Sequence, residues 1–121
     1  MVVSYIFDVG DETVWSPALR VGRSYVALAE ATAAVLGKAT GLEAISEDMY
    51  DITPSVFADF TRTLLAEYEL SKHFVGRQLL HGVLLTSLVI VQRSGIEIVP
   101  ETEEQEKLWI SIPEFSKSMP T

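Results

Sequence analysis

An α+β domain is predicted by three features of this chain: two short apolar-rich segments around a Gly10-Asp11 turn, two hydroxyl-proline helix starts at Ser16-Pro17 and Thr53-Pro54, and a long uncharged run between Arg77 and Arg93. The expected architecture is an N-terminal β-hairpin, with an optional third short strand at 96–99, packed on a three-helix antiparallel bundle with a short C-terminal helix. Residues 1–110 are expected to form one globular domain and 111–121 a loose C-terminal tail.

The hairpin pairs Ser4–Val9 with Glu12–Trp15 across a two-residue Gly-X turn, the geometry that reverses twisted strands tightly. That register sets Phe7 opposite Val14 on one face and Ile6 opposite Trp15 on the other, so both faces carry apolar pairs. Ser16 as N-cap and Pro17 at the first helical position open a helix to about Leu36, stopped by Gly37. Two seams run along it at 3–4 spacing. The bulky one holds Ala18, Val21, Tyr25, Leu28, Thr32 and Val35; the smaller one holds Leu19, Gly22, Val26, Ala29, Ala33 and Leu36. Two adjacent seams predict a helix touched by neighbours on two sides. Lys38–Ile52 reads as an acidic loop with one helical turn at Leu42–Ile45. Thr53-Pro54 then opens a second helix to about Leu70, with Phe57, Phe60, Leu64 and Tyr68 as its buried stripe. After a break at Ser71–His73 a third helix carries the apolar run to Ser94-Gly95. Ile96–Val99 has strand character, and Thr102 with Gln105 forms a capping box for a helix holding Leu108 and Trp109.

At 121 residues and 48% hydrophobic, the chain can bury a core without metal or disulfide staples. The absence of cysteine excludes thiolate nucleophiles and Cys-based metal sites, and suits a cytoplasmic protein. The N-terminus has no basic segment or small-residue cleavage site, so no signal peptide is expected. The uncharged run is shorter than the roughly 20 residues of a membrane span and includes His81, so it is expected to be a buried core helix. A net charge of −8 argues against binding a nucleic-acid backbone.

No catalytic motif emerges, and no cofactor is expected. His73 and His81 lie too far apart for the i, i+4 pair of a helical metal site. His81 shares a face with Arg77 and reads as a half-buried histidine bonded to a neighbour rather than a general base. Asp8, Asp11 and Glu12 read as turn chemistry, since their spacing matches no calcium loop. There is no Gly-rich phosphate loop and no nucleophile elbow.

Charge segregation is the strongest remaining signal. Glu43–Asp51 and Glu97–Glu106 hold nine of the 17 acidic residues and no Lys or Arg, and the first 19 residues add Asp8, Asp11 and Glu12, again without a base. Part of this charge complements helix N-termini, worth about 0.3–1 kcal/mol each. Up-down-up connectivity brings the two stretches together at one acidic pole, with Arg20, Arg23, Lys72, His73 and Arg77 at the other.

The segment Tyr5 to Asp11 (Y-x-F-x-V-G-D), followed by Trp15-Ser16-Pro17, resembles the opening of a family of small, uncharacterised actinobacterial proteins in which such a hairpin precedes W-x-P and a helix. Gly41-Leu42-Glu43, the Asp48/Asp51 segment and Arg93 to Glu97 are similar too, so the resemblance spans the chain to about residue 108. It implies no activity, and no catalytic residue is carried over.

The leading expectation is a non-enzymatic protein-binding module, concretely an immunity- or antitoxin-like inhibitor docking a basic, toxin-like partner. The expected surface is Glu43, Glu47, Asp48, Tyr50, Asp51, Glu97, Glu101, Glu103 and Glu104. The alternative is a small-molecule-binding or enzymatic domain with a pocket between hairpin and helices, lined by Trp15, Tyr25, His81 and Gln92. A homodimer through the exposed hairpin face is a third option.

Overall fold

A computed structural model describes residues 4–121. The element order is β1 (Ile6–Val9), β2 (Glu12–Trp15), α1 (Leu19–Leu36), β3 (Leu42–Ser46), β4 (Met49–Ile52), α2 (Pro54–Leu70), α3 (Phe74–Arg93) and α4 (Glu103–Ser116). The fold is α+β: the described residues form four helices and a four-stranded sheet in the order β2-β1-β4-β3.

The expected first hairpin is present, with Gly10 at φ 59° supplying the left-handed turn residue. Its register differs from the expected one. Phe7 pairs with Trp15 and Asp8 with Thr13, because a bulge leaves Val14 as an extra residue. The bulge explains why Val14 and Trp15, adjacent in sequence, are both buried. Arg93 Nη1 donates to the Val14 carbonyl at 2.8 Å, satisfying a group that the bulge takes out of the ladder.

Lys38–Ile52, expected as a loop, contains the second hairpin. β4 lies parallel to β1, with Phe7 beside Tyr50 and Asp8 beside Asp51, and β3 closes the sheet antiparallel to β4. Parallel neighbours need a crossover, and α1 lies within it. That changes the helix arrangement. The Tyr25 hydroxyl meets Ser87 Oγ at 2.7 Å, while Leu36 shares a cavity with Gly76 and Leu80. Helix α1 therefore runs antiparallel to α3, and the expected up-down-up order does not hold. The central helix is α3, buried continuously from Val83 to Val91. By length and composition α3 could cross a membrane, but half of its apolar window is enclosed by the rest of the fold.

Ile96–Val99 forms no strand. The sheet ends at β2 and β3, and this segment instead runs beside α2, sharing a cleft with Arg62, Leu65 and Glu69. The capping box forms: Thr102 Oγ1 accepts from the Gln105 N–H at 3.2 Å. Helix α4 continues past its expected end to Ser116, despite Pro113. Ile112 and Met119 are buried, Arg93 Nη2 donates to Ser116 Oγ at 2.9 Å, and the Ser16 N–H donates to the Pro120 carbonyl at 2.7 Å. Residues 111–121 are thus packed against the domain rather than loose. The Ser16 hydroxyl donates to Ser4 Oγ at 3.2 Å instead of capping a helix, and α1 starts after Ala18 without a side-chain cap.

Candidate functional site

Successive residues of a strand point to opposite faces. The helix-facing side of the sheet carries a row of Tyr50, Phe7 and Trp15, in register across β4, β1 and β2. Phe7 stacks on Trp15 at 5.1 Å and on Tyr50 at 5.9 Å between ring centroids, and Tyr25 from α1 meets both Phe7 and Trp15 edge-on. The next row faces outward. There Glu43 pairs with Asp51, Asp51 lies beside Asp8, and Asp8 pairs with Thr13. Three carboxylates thus sit side by side on three neighbouring strands, and Thr13 Oγ1 donates to Asp8 Oδ1 at 2.6 Å. Asp11 and Glu12 flank one end of this sheet. Glu47 and Asp48 flank the other, where the Ile6 N–H donates to the Asp48 carbonyl at 2.8 Å. Together the two hairpins carry seven acids and no Lys or Arg.

Two structural roles account for part of this charge. An acid and a bulge on the outermost strand protect it from pairing with another chain, which covers Glu43. The N-terminus of α2 favours negative charge nearby, which covers Asp51. Neither explains Asp8, on an inner strand beside another carboxylate. Like charges directly opposed in a sheet are a cost.

The other acidic stretch goes elsewhere. Glu104 pairs with Arg77 at 2.8 Å, and Gln105 Nε2 donates to Glu69 Oε2 at 2.6 Å, in the last turn of α2. Arg77 itself is anchored by Nε to the Ser71 carbonyl at 2.6 Å and lies over the Tyr68 ring. Asp51 precedes the start of α2. A helix of 17 residues separates the two sites by about 25 Å. The single acidic pole therefore does not exist. Glu97 and Glu101 lie along α2, Glu103 opens α4 and Glu104 meets the base expected at the opposite pole. Arg20, beside Thr86 and Ser118, is likewise apart from Arg77.

Of the expected pocket residues, Trp15 and Tyr25 come together. They line an apolar groove of about 420 Å³ with Val21, Leu28, Thr86 and Met119. His81 lies elsewhere, in a polar cleft with Tyr68, Arg77 and Lys107, and Gln92 is exposed on α3. Burial pushes the Tyr25 phenol far above its ordinary value, against the opposing effect of the Ser87 hydrogen bond. Tyr50, on the helix-facing row, is also raised, by burial first and then by Tyr5 and Glu30. Trp15 Nε1 is buried and has no hydrogen-bond partner among the described residues. Among the described residues no group of three or more His, Asp or Glu is placed to hold a metal ion.

Sequence reasoning missed Asp8 as part of the acidic surface, since it read as turn chemistry. The signal was its place in a base-free segment; the missing information was the pairing of β1 with β4. A family model matches residues 3–121, and the chain belongs to that family, described as a family of unknown function, DUF6086. No curated protein and no solved structure matches the chain significantly.

Proposed function

We propose that this protein is a non-enzymatic protein-binding module that docks a basic partner on the outer, acidic face of its sheet. The concrete form is an immunity- or antitoxin-like inhibitor working in the cytoplasm of an actinobacterial host. The observation that carries the reading is the Asp8–Asp51–Glu43 row across β1, β4 and β3, with no Lys or Arg in either hairpin. A dense field of one sign steers an oppositely charged partner and raises its association rate. Glu43, Glu47, Asp48 and Asp51 stay in the proposed surface and Asp8, Asp11 and Glu12 join it. Glu97, Glu101, Glu103 and Glu104 leave it, as does Tyr50, whose ring lies on the helix-facing side.

Immobilised protein exposed to a lysate of the native organism tests this. Basic proteins should be retained by the wild type and lost by a Glu43→Lys, Asp51→Lys variant that keeps its circular dichroism spectrum. Identical capture by both would contradict the proposal.

A second reading is favoured by one observation, the unpartnered Trp15 indole N–H beside an apolar groove. It assigns the groove to a small apolar ligand with an acceptor group. Titration with anilinonaphthalene sulfonate tests this. A shift of the Trp15 indole resonance at one-to-one stoichiometry supports a ligand site, and an unmoved resonance removes it.

A further inference from the structure

Gly82 lines the Trp15 groove from within α3. Glycine is disfavoured in a helix interior, and Gly82 has no positive φ to require it. Packing does not require it either. Among the described residues, a Cβ added at Gly82 would meet no atom of a neighbouring element within 4 Å. Gly22 in α1 is the contrast, since an added Cβ there would lie 2.5 Å from the Tyr5 side chain. The space over Gly82 belongs to the groove, and any larger residue would begin to fill it.

The groove is long as well as apolar. Arg20 and Leu28 both line it from α1, about 12 Å apart along the axis. Tyr25 meets Ser87, and Gly82 precedes Ser87 in the antiparallel α3, so Gly82 lies toward the Leu28 end. The other end is polar and positive. Arg20 and Ser24 share a face of α1 at i, i+4, and both line the groove. Among the described residues Arg20 takes part in no ion pair, and none that lines the groove is acidic. In a chain with 17 acids and nine bases, this cation faces an apolar groove instead of a carboxylate of its own.

We propose that the groove binds a straight-chain amphipathic carboxylate, its head against Arg20 and its alkyl tail along Leu28 and over Gly82. This rests on the groove being a ligand site, and adds that the acceptor is an anion, because Arg20 and Trp15 line the same groove. A guanidinium gives a carboxylate charge-assisted hydrogen bonds, while Val21, Leu28 and Val83 take the tail out of water.

Sodium decanoate, decanol and decyltrimethylammonium share one tail and differ in the head, and each can be titrated into the full chain. Decanoate should shift the Trp15 indole resonance at one-to-one stoichiometry and bind roughly tenfold or more tightly than the other two. Arg20→Glu should weaken decanoate roughly tenfold or more and leave decanol unchanged. Gly82→Leu, which puts a side chain where the tail would lie, should weaken decanoate and decanol alike. Its urea midpoint should stay at or above that of the wild type. Equal affinity for decanoate and decanol, or indifference to Arg20→Glu, would overturn the carboxylate assignment and leave the groove an apolar site. Decanoate binding that survives Gly82→Leu would overturn the placement of the tail. An indole resonance moved by none of the three would remove the ligand site itself.

Discussion

The hairpin acids and the acids of the segment entering α4 look alike in sequence, and the fold treats them differently. In the connecting segment, Glu104 is held by Arg77, and Glu103, Glu104 and Glu106 occupy the first turn of α4, where the helix dipole favours them. In the hairpins, Asp8, Asp51 and Glu43 face one another without a base. A base-free run in the sequence does not by itself mark a surface. What distinguishes the two is whether tertiary structure brings a cation, and α3 brings Arg77 to only one of them.

The largest expected effect breaks the acidic face itself. Gly41, at φ 80°, anchors the start of β3 by accepting from the Thr53 N–H at 2.9 Å, and an added Cβ would lie 2.8 Å from the Phe57 nitrogen. Gly41→Ala combines a left-handed conformation with a backbone clash and should cost about 3 kcal/mol in urea unfolding. Next comes the partner that makes the connecting segment different. Arg77→Ala removes bonds to the Ser71 and Glu69 carbonyls as well as to Glu104, and should cost about 2 kcal/mol. Glu104→Gln, losing only a half-exposed ion pair, should cost less than about 1 kcal/mol.

A pH titration supplies a reference outside both regions. The Tyr25 phenol ionises near pH 10 in the unfolded chain and well above that when folded, because burial disfavours the phenolate. A raised folded value means its contribution is complete below pH 10 and lost as pH rises beyond it. The decline should reach roughly 1.4 kcal/mol per pH unit. Tyr25→Phe should flatten this decline while costing about 1 kcal/mol at neutral pH for the bond to Ser87. The smallest effect has the opposite sign. Asp8→Asn relieves its crowding against Asp51 while keeping the acceptor for Thr13, and should stabilise the fold by about 0.2–1 kcal/mol at low salt, a gain that fades as salt is added.

Local signals were legible. The Gly10-Asp11 turn, the proline at the start of α2, the Thr102 capping box and the apolar run of α3 all depend on residues close in sequence. The second hairpin was not. Met49–Ile52 is four residues long, and its place in the sheet comes from pairing with β1, more than 40 residues earlier. Missing that strand made Lys38–Ile52 a simple link and turned α1, a crossover helix, into one leg of an up-down-up bundle. The imagined acidic pole followed from that error. Asp8 escaped notice for the same reason, since only the β1–β4 register places it beside Asp51. The bulky seam of α1 was legible as apolar, but the exposure of Val21, Leu28 and Val35 was not, because 3–4 spacing marks an apolar face without stating what covers it.

The central claim is that the sheet, and not the equally acidic connecting segment, meets the partner. Association rates of a captured basic partner at low and high salt should be compared for Glu43→Lys, Asp51→Lys and for Glu101→Lys, Glu103→Lys. The account predicts a rate lowered roughly tenfold or more at low salt for the sheet pair, with the connecting-segment pair close to wild type. Equal slowing by both pairs, or slowing by the connecting-segment pair alone, would contradict it.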